Sequence, residues 1–462
     1  MGPLLSKAVA KDLPPWTEDQ FLVALDHGFQ RQAFDRVKNL LSALRDAKTA
    51  AQLWEMQGGL LEAVLWAQEY KSRSKRFLER SRRGKPVAEI PQSGSWELEH
   101  RIASRVERQI RSVGDCLAWK VLSCRRDVFF VLSQNENPGS SYGKAGLMAE
   151  ADRADAHWST GHFTLMNDLT QSVRIGDLII FTPEGPKLSE VKAGDHHRRE
   201  QRERIRRALQ TLSRERPLDV GGKPHEIFNA TTQLSTRMDC LSAALAQSKT
   251  SGFGSVVIEP GWLVMAASVF PVHRPDDEDV GQQSDKAKQD ALVEPGQHVL
   301  QTIWSWHAWD YQDALVAGVP FGAFPLEPAQ CAELTCGYSM YRVYLRSDVL
   351  DQEFRRVGFR TRWSLPTAGS SWKGTETVLE VYRRIGQGYR GMTISASGLR
   401  HCLYELVQPR RYAHVVREMF DWSTKPFPAR AMGGKSRLQI GQSTMAFSNE
   451  KAVWFKKPKL KE

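Results

Sequence analysis

Long apolar runs are missing from this chain. No segment approaches the roughly 20 apolar residues that a bilayer crossing requires, and Met1 to Lys11 carries too short an apolar run for a secretory leader. Cysteine is scarce. Six cysteines at irregular spacing in 462 residues argue against a disulfide scaffold. Cys331 and Cys336 have no second pair to complete a zinc site. Together these absences predict a cytoplasmic protein in a reducing compartment, with no membrane partner. Nucleotide-loop and hydrolase signatures are also lacking. Gly139 to Lys144 has the wrong glycine spacing for a phosphate loop, and Ala145 replaces the hydroxyl that would bind Mg²⁺. Gly252-x-Gly254 has Val257 where a dinucleotide fingerprint needs glycine, and no Gly-x-Ser-x-Gly elbow occurs. There is no internal repeat and no long low-complexity tract.

What is present bounds the answer. At 462 residues the chain predicts two or three domains, and a hydrophobic share of 41% is enough for real cores. A formal net charge of +11 favours nucleic acid or another polyanion as partner. Residues 1–94 read as all-helical. Thr17-Glu18-Asp19-Gln20 is a capping-box pattern, with Trp16 and Phe21 placed to form its hydrophobic staple. Phe21, Leu25, Phe29, Phe34, Val37, Leu41 and Leu44 supply an inward stripe. This region ends in a basic run from Lys71 to Lys85. Such runs are usually solvated, and this one is also placed to grip a nucleic-acid backbone.

The segment 95–270 contains the stretch with the most chemistry. Gly176-Asp177-Leu178-Ile179-Ile180-Phe181-Thr182-Pro183-Glu184-Gly185-Pro186-Lys187-Leu188-Ser189-Glu190-Val191-Lys192 reads as two short strands around a Pro/Gly turn. If Pro183 to Pro186 form the loop, Thr182 pairs with Lys187 and Asp177 faces Lys192. Directly opposed side chains lie roughly 4.5–5.5 Å apart at Cβ. Glu190, two residues from Lys192, points to the same face. Two carboxylates and an ammonium then converge. The carboxylates are hard oxygen ligands suited to Mg²⁺ or Mn²⁺, and Lys192 is suited to orient or deprotonate a water.

This arrangement resembles the PD-(D/E)XK nuclease superfamily. An Asp on one strand and an acidic-x-Lys on the next form the core of that family. Asp177, Glu190 and Lys192 match those positions, while Gly176 stands where the family's first proline would be. The resemblance implies a metal-dependent nuclease with Asp177 and Glu190 as metal ligands and Lys192 as catalytic lysine. It also implies a helix after the lysine strand. Arg198 to Leu212 supplies one, with Ile205, Ala208, Leu209 and Leu212 on a single apolar face. Gln201 continues that face and resembles a glutamine that some members carry there. Nine Lys/Arg against four Asp/Glu between Lys192 and Arg216, with Arg198, Arg199 and Arg202 foremost, offer phosphate contacts. A further acid on a preceding helix is expected in the family, and Glu99, Glu107 and Glu150 are the candidates. Glu99 and Glu107 flank the stripe Leu98, Ile102, Val106 and Ile110 of a helix over Trp96 to Arg111. Asp168 reads as a local backbone cap.

The expected fold class is therefore α/β. A restriction-endonuclease-like central mixed sheet is flanked by helices, between an α-helical N-terminal region (1–94) and a C-terminal α+β domain (298–462). Strands at 255–259 and 262–265 are expected to extend the nuclease sheet. Pro271 to Gln297 is polar and reads as a linker or loop. The C-terminal segment has a strand over 341–345, a helix over 401–422 and a late hairpin at 436–447. Its aromatic run Trp304, Trp306, His307, Trp309 and Tyr311 reads as core packing first and as a base-stacking surface second. The expected partner is nucleic acid, DNA ahead of RNA, with a protein partner or a second copy also open. By analogy alone, flanking domains on such a core point to an effector of antiviral defence in bacteria. The competing reading is a nucleic-acid or partner-binding protein that keeps a nuclease-like fold without cutting. A C-terminal sensor for a small molecule or phage protein is compatible with either.

Overall fold

The computed structural model describes residues 16–423, apart from 88, 124–125, 134–144, 174, 192–197, 213–217, 221–222, 226–231, 233, 270–276, 293–298, 305–318 and 365–376. The chain mixes helices and sheets. It opens with α1 (Glu18–Asp26), α2 (Gly28–Asp46), α3 (Ala50–Arg82), α4 (Trp96–Val121), α5 (Arg126–Leu132) and α6 (Ala145–Ser159). Next come β1 (Thr164–Met166), β2 (Leu178–Thr182), β3 (Gly185–Ser189), α7 (Arg198–Leu212), β4 (Leu218–Val220) and β5 (Lys223–His225). Then follow α8 (Met238–Ser251), β6 (Phe253–Glu259), β7 (Trp262–Ser268), α9 (Asp277–Leu292) and β8 (Val299–Trp304). The last described elements are α10 (Pro328–Cys336), β9 (Ser339–Arg346), α11 (Ser347–Arg356), β10 (Arg360–Trp363), β11 (Thr377–Ile385), β12 (Gly388–Ser395), α12 (Ala396–Tyr404) and α13 (Pro409–Ser423). No described helix is long and apolar enough to cross a membrane.

The N-terminal helices form as their sequence dictates. Thr17 accepts the Gln20 amide at 3.2 Å, and Gln20 returns the bond to Thr17 N, so α1 starts on a capping box. Trp16 packs against buried Phe21 and Leu25 as a staple. Thr49 and Gln52 repeat the box at the start of α3. The apolar stripe of α4, Leu98, Ile102, Val106 and Ile110, is buried, worth about 1.5–3 kcal/mol per side chain. Several charged positions of α4 are buried too, among them Glu99, Arg105, Glu107, Arg111 and Asp115. α4 therefore lies inside the protein between α2, α3 and α10.

Among the described residues every sheet is antiparallel: β1-β2-β3, β4-β5, β6-β7-β9-β8 and β10-β11-β12. A mixed central sheet is thus not found there. Strands β6 and β7 do not extend the Asp177 hairpin. β7 pairs with β9, from Trp262↔Leu345 to Ser268↔Ser339, so hydrogen bonds cross from segment 95–270 into 298–462. Residues 277–292, inside the stretch read as a linker, form α9. Its Ala291 and Leu292 are buried with Phe253, Leu263, Met265 and Tyr344. Val280 and Ala287 of the same helix pack against that cluster, so a few apolar residues on a polar helix dock it. The helix expected over 401–422 is two helices. Leu406 takes a left-handed φ of 47°, and Pro409, which has no N–H to donate, opens α13. One buried cluster runs from Ala24 through Leu60, Ile179 and Val343 to Phe420. The late hairpin at 436–447 and the aromatic run from Trp306 to Tyr311 lie outside the described residues.

Candidate active site

The Asp177 hairpin is tighter than its sequence predicts. Thr182 pairs with Gly185, leaving Pro183 and Glu184 as a two-residue turn, and Lys187 faces Ile180 instead of Thr182. Gly185 supplies the turn with a φ of 124°, which side chains disfavour. The slip relative to expectation is two residues, so every side chain keeps its face. The pairing ends at Leu178↔Ser189, and Asp177 and Glu190 adjoin that last pair outside the two strands. The expected opposition of Asp177 and Lys192 is corrected by this register.

Hydrogen bonds fix the open end of the hairpin. Asp177 N donates to Ser189 O at 2.9 Å, and Val191 N donates to Asp177 Oδ2 at 2.6 Å. Gly176 bends the chain with a φ of 78°. Asn167 then grips the approach to the strand, donating its side-chain amide to the carbonyls of Ile175 (3.1 Å) and Gly176 (2.9 Å). Its backbone N–H donates to Asp177 O at 2.8 Å. The local cap expected of Asp168 is made by Asn167.

Helices hold this loop from behind. Asp115 Oδ1 of α4 accepts the backbone amides of Gln171 (2.9 Å) and Ser172 (2.8 Å). Beside it, Gly114 lets α4 approach so closely that an added Cβ would collide with Leu169 O. Gln57 of α3 reaches β1, donating to Thr164 O at 2.9 Å and accepting from Met166 N at 3.2 Å. It pairs the outer edge of the three-stranded sheet as another strand would. One signal for Gln57 was readable in advance. It interrupts an inward helical register with Leu53, Leu60 and Val64, and a polar residue there demands a partner.

α7 forms where expected and covers this sheet. Ala208 is buried with Val131 of α5, and Ile175 and Leu212 pack on them. Leu209 and Leu212 line a small apolar cavity with Ile179, Pro186 and Leu188 of the hairpin. Ile179 and Leu188 are cross-strand partners and share that face. α7 therefore packs on the side of the sheet that carries Ile179 and Leu188. Arg198, Arg199, Gln201 and Arg202 lie in the first turns of α7, where the backbone alone is described. Lys192 lies outside the described residues. Further along α7, Glu203 pairs with Arg206 (2.6 Å) and Arg207 (3.0 Å), so part of the helix's positive charge is neutralised within it. Those pairs are exposed and contribute little to stability.

Two of the three candidate third acids have other employment. Glu99 bonds His27 Nε2 at 3.0 Å, Ser93 N at 3.1 Å and Ser93 Oγ at 2.7 Å, and it accepts Tyr70 OH. Burial pushes its carboxyl up, but the bonds from His27, Tyr70 and Ser93 outweigh this and hold it at about 2. Glu107 binds Lys71 (2.6 Å), Arg111 (3.2 Å) and Gln68 (2.9 Å). Both acids tie α4 into the helical layer. Glu150 is buried on α6, the helix that packs on β1 and β2.

Among the described residues no group of three or more His, Cys, Asp and Glu is assembled to hold a metal ion. The hairpin offers two carboxylates, a donor set that Mg²⁺ accepts when water and substrate phosphate fill the remaining positions. The glycines of Gly252-x-Gly254 serve packing. Gly252 ends α8 in the left-handed conformation, and a Cβ on Gly254 would strike Ala244 O. The five described cysteines, at 116, 240, 331, 336 and 402, are buried and free of disulfides. Compared with known proteins, the chain matches no family model, no curated protein and no solved structure.

Proposed function

We propose that this chain is a metal-dependent nuclease of PD-(D/E)XK type that hydrolyses phosphodiester bonds, DNA ahead of RNA. The observation that supports the reading is the clasped open end of the hairpin, where Asp177 adjoins Leu178 and Glu190 adjoins Ser189, the last paired residues, on a sheet that α7 packs against. The sequence Glu190-Val191-Lys192 and the helix that follows it support the same reading. Asp177 and Glu190 would hold Mg²⁺ or Mn²⁺, which polarises phosphoryl oxygen and acidifies water when bound. Lys192 would orient the attacking water or steady developing negative charge. Gln201 would orient Lys192 or the substrate, and Arg198, Arg199 and Arg202 would contact phosphates. In this proposal the surrounding sheet is a reduced, restriction-endonuclease-like core. An effector role in bacterial defence against phage stays an analogy.

One contact favours a second reading. Val191 N donates to Asp177 Oδ2, so Asp177 also serves as the clasp of its hairpin. A chain that uses Asp177 only in this way would bind nucleic acid or a protein partner without cutting.

The test is cleavage of end-labelled linear, circular and RNA substrates by the full chain, with Mg²⁺ or Mn²⁺ and with EDTA. The expected result is cation-dependent cleavage that Asp177→Asn, Glu190→Gln and Lys192→Ala each abolish. Cation-dependent cleavage that survives both Asp177→Ala and Lys192→Ala would overturn the assigned site. A chain that binds these substrates and cuts none would establish the second reading.

A further inference from the structure

The outward face of the β10-β11-β12 sheet carries a pattern that the hairpin site does not use. Between β10 and β11, Arg360 pairs with Tyr382 and Arg362 with Glu380. Between β11 and β12, Arg384 pairs with Tyr389 and Tyr382 with Gly391. Paired residues and residues two apart share a face. Arg360, Arg362, Tyr382, Arg384 and Tyr389 therefore stand together. The alternate positions turn inward, where Leu379, Val381 and Ile394 are buried and Trp363 packs against them.

Tyr389 and the outward arginines are accessible, and Tyr382 is half-buried beside them. Tyr389 is 62% exposed, and Arg360, Arg362 and Arg384 are exposed as well. The rings of Tyr382 and Tyr389 meet edge to face, with centroids 6.0 Å apart. The Arg360 guanidinium lies 5.9 Å from the Tyr389 ring centre. Gly391, opposite Tyr382, presents no side chain that would cover that ring. Glu380 is the single acid in this group and lies 3.9 Å from Arg362.

We propose that this face is a binding platform for single-stranded nucleic acid. Arginines on strand edges are explained by protection against edge pairing alone. That explanation leaves the two outward tyrosines unaccounted for. An exposed ring beside guanidinium groups suits a partner that offers flat π-faces and phosphates at once, which a single strand does. A duplex hides its base faces in the stack, and an acidic peptide has no use for the rings. The platform stands independently of whether the Asp177 hairpin cuts.

The test is fluorescence anisotropy with labelled 20-nucleotide dT and rU strands, using the full chain in EDTA so that binding is read without divalent-dependent cleavage. Tyr389→Ala is expected to weaken binding roughly tenfold, while Tyr389→Phe, which keeps the ring, binds like the unmodified protein. Arg360→Gln combined with Arg384→Gln is expected to flatten the slope of log affinity against log salt by about 1.4, at roughly 0.7 for each phosphate no longer neutralised. Three results would each overturn the proposal: Tyr389→Ala binding within twofold of the unmodified chain, an unlabelled duplex competing as well as the single strand, or loss of binding to anionic phosphatidylserine vesicles, without loss for oligonucleotides, in the same variants.

Discussion

Asn167 holds the residue before Asp177 in place. Its side-chain amide donates to Gly176 O at 2.9 Å and to Ile175 O at 3.1 Å. Gly176 is bent through a left-handed φ of 78°, so this grip sets the direction in which Asp177 leaves the loop. Asn167→Ala removes both bonds. It is expected to cost about 2 kcal/mol in a urea titration, at roughly 1 kcal/mol per bond. Hairpin-dependent cleavage should fall with it, because a carboxylate displaced by a fraction of an ångström no longer meets its partner. Unchanged stability would show that the loop is held elsewhere.

The hairpin clasp made by Asp177 and its proposed role as a metal ligand are separable, and two substitutions divide them. Asp177→Asn keeps an oxygen to accept the Val191 amide but loses the charge. It is expected to stay folded while cleavage drops about a hundredfold or more. Asp177→Ala loses the acceptor as well and is expected to be less stable by about 1.5–3 kcal/mol. Thermal unfolding of the two variants beside their initial rates would separate the clasp from the catalyst.

Gly114 has no room for a side chain. A Cβ there would meet the Leu169 carbonyl and the Thr170 backbone, and backbone cannot rotate away as a flexible side chain can. Gly114→Ala is expected to destabilise the protein by about 1–3 kcal/mol. It should also loosen the Asp115 bonds to Gln171 and Ser172, seen as faster amide exchange in that loop. Exchange and stability equal to the unmodified chain would refute the close approach.

Acid should unfold this protein partly through its buried helical layer. Glu99 is held at about 2 in the folded state against an ordinary value of 4.5. A depressed carboxyl contributes its stability above the unfolded value and loses it as pH falls toward the folded one. The unfolding free energy is therefore expected to drop between pH 4.5 and 2. Glu99→Gln should flatten that drop in part. Part remains because Lys71 and Arg111 hold Glu107 low against its burial, so it titrates in the same direction. Denaturant titrations at stepped pH would show the difference. Parallel curves for the two proteins would rule out this role for Glu99.

Much of the local structure was readable because its causes are local. The Thr17–Gln20 capping box, the apolar stripe of α4 and the helical face of α7 each depend on residues within a turn or two of one another. The hairpin itself was readable from its apolar run and its Pro/Gly turn. What the sequence left open depends on contacts made across the chain. The register of β2 and β3 followed the Pro183–Glu184 turn and not the longer loop, and a two-residue difference leaves the face pattern unchanged and so hides from periodicity. α9 looked like a linker because its few apolar residues matter only once Phe253, Leu263 and Tyr344 are there to receive them. β7 found β9 across the polar segment between them, and strand pairing over such a distance leaves no local mark.

The roles of the acids divide in the same way. Residue types and spacing proposed Asp177, Glu190 and Lys192 as a group, because chemistry at a hairpin needs particular side chains at particular intervals. Only the fold assigned Glu99 to His27 and Tyr70, Glu107 to Lys71 and Arg111, and the support of the Asp177 loop to Asn167 and Asp115. A buried charge takes whichever partner the packing brings within reach, and that partner can stand anywhere in the chain.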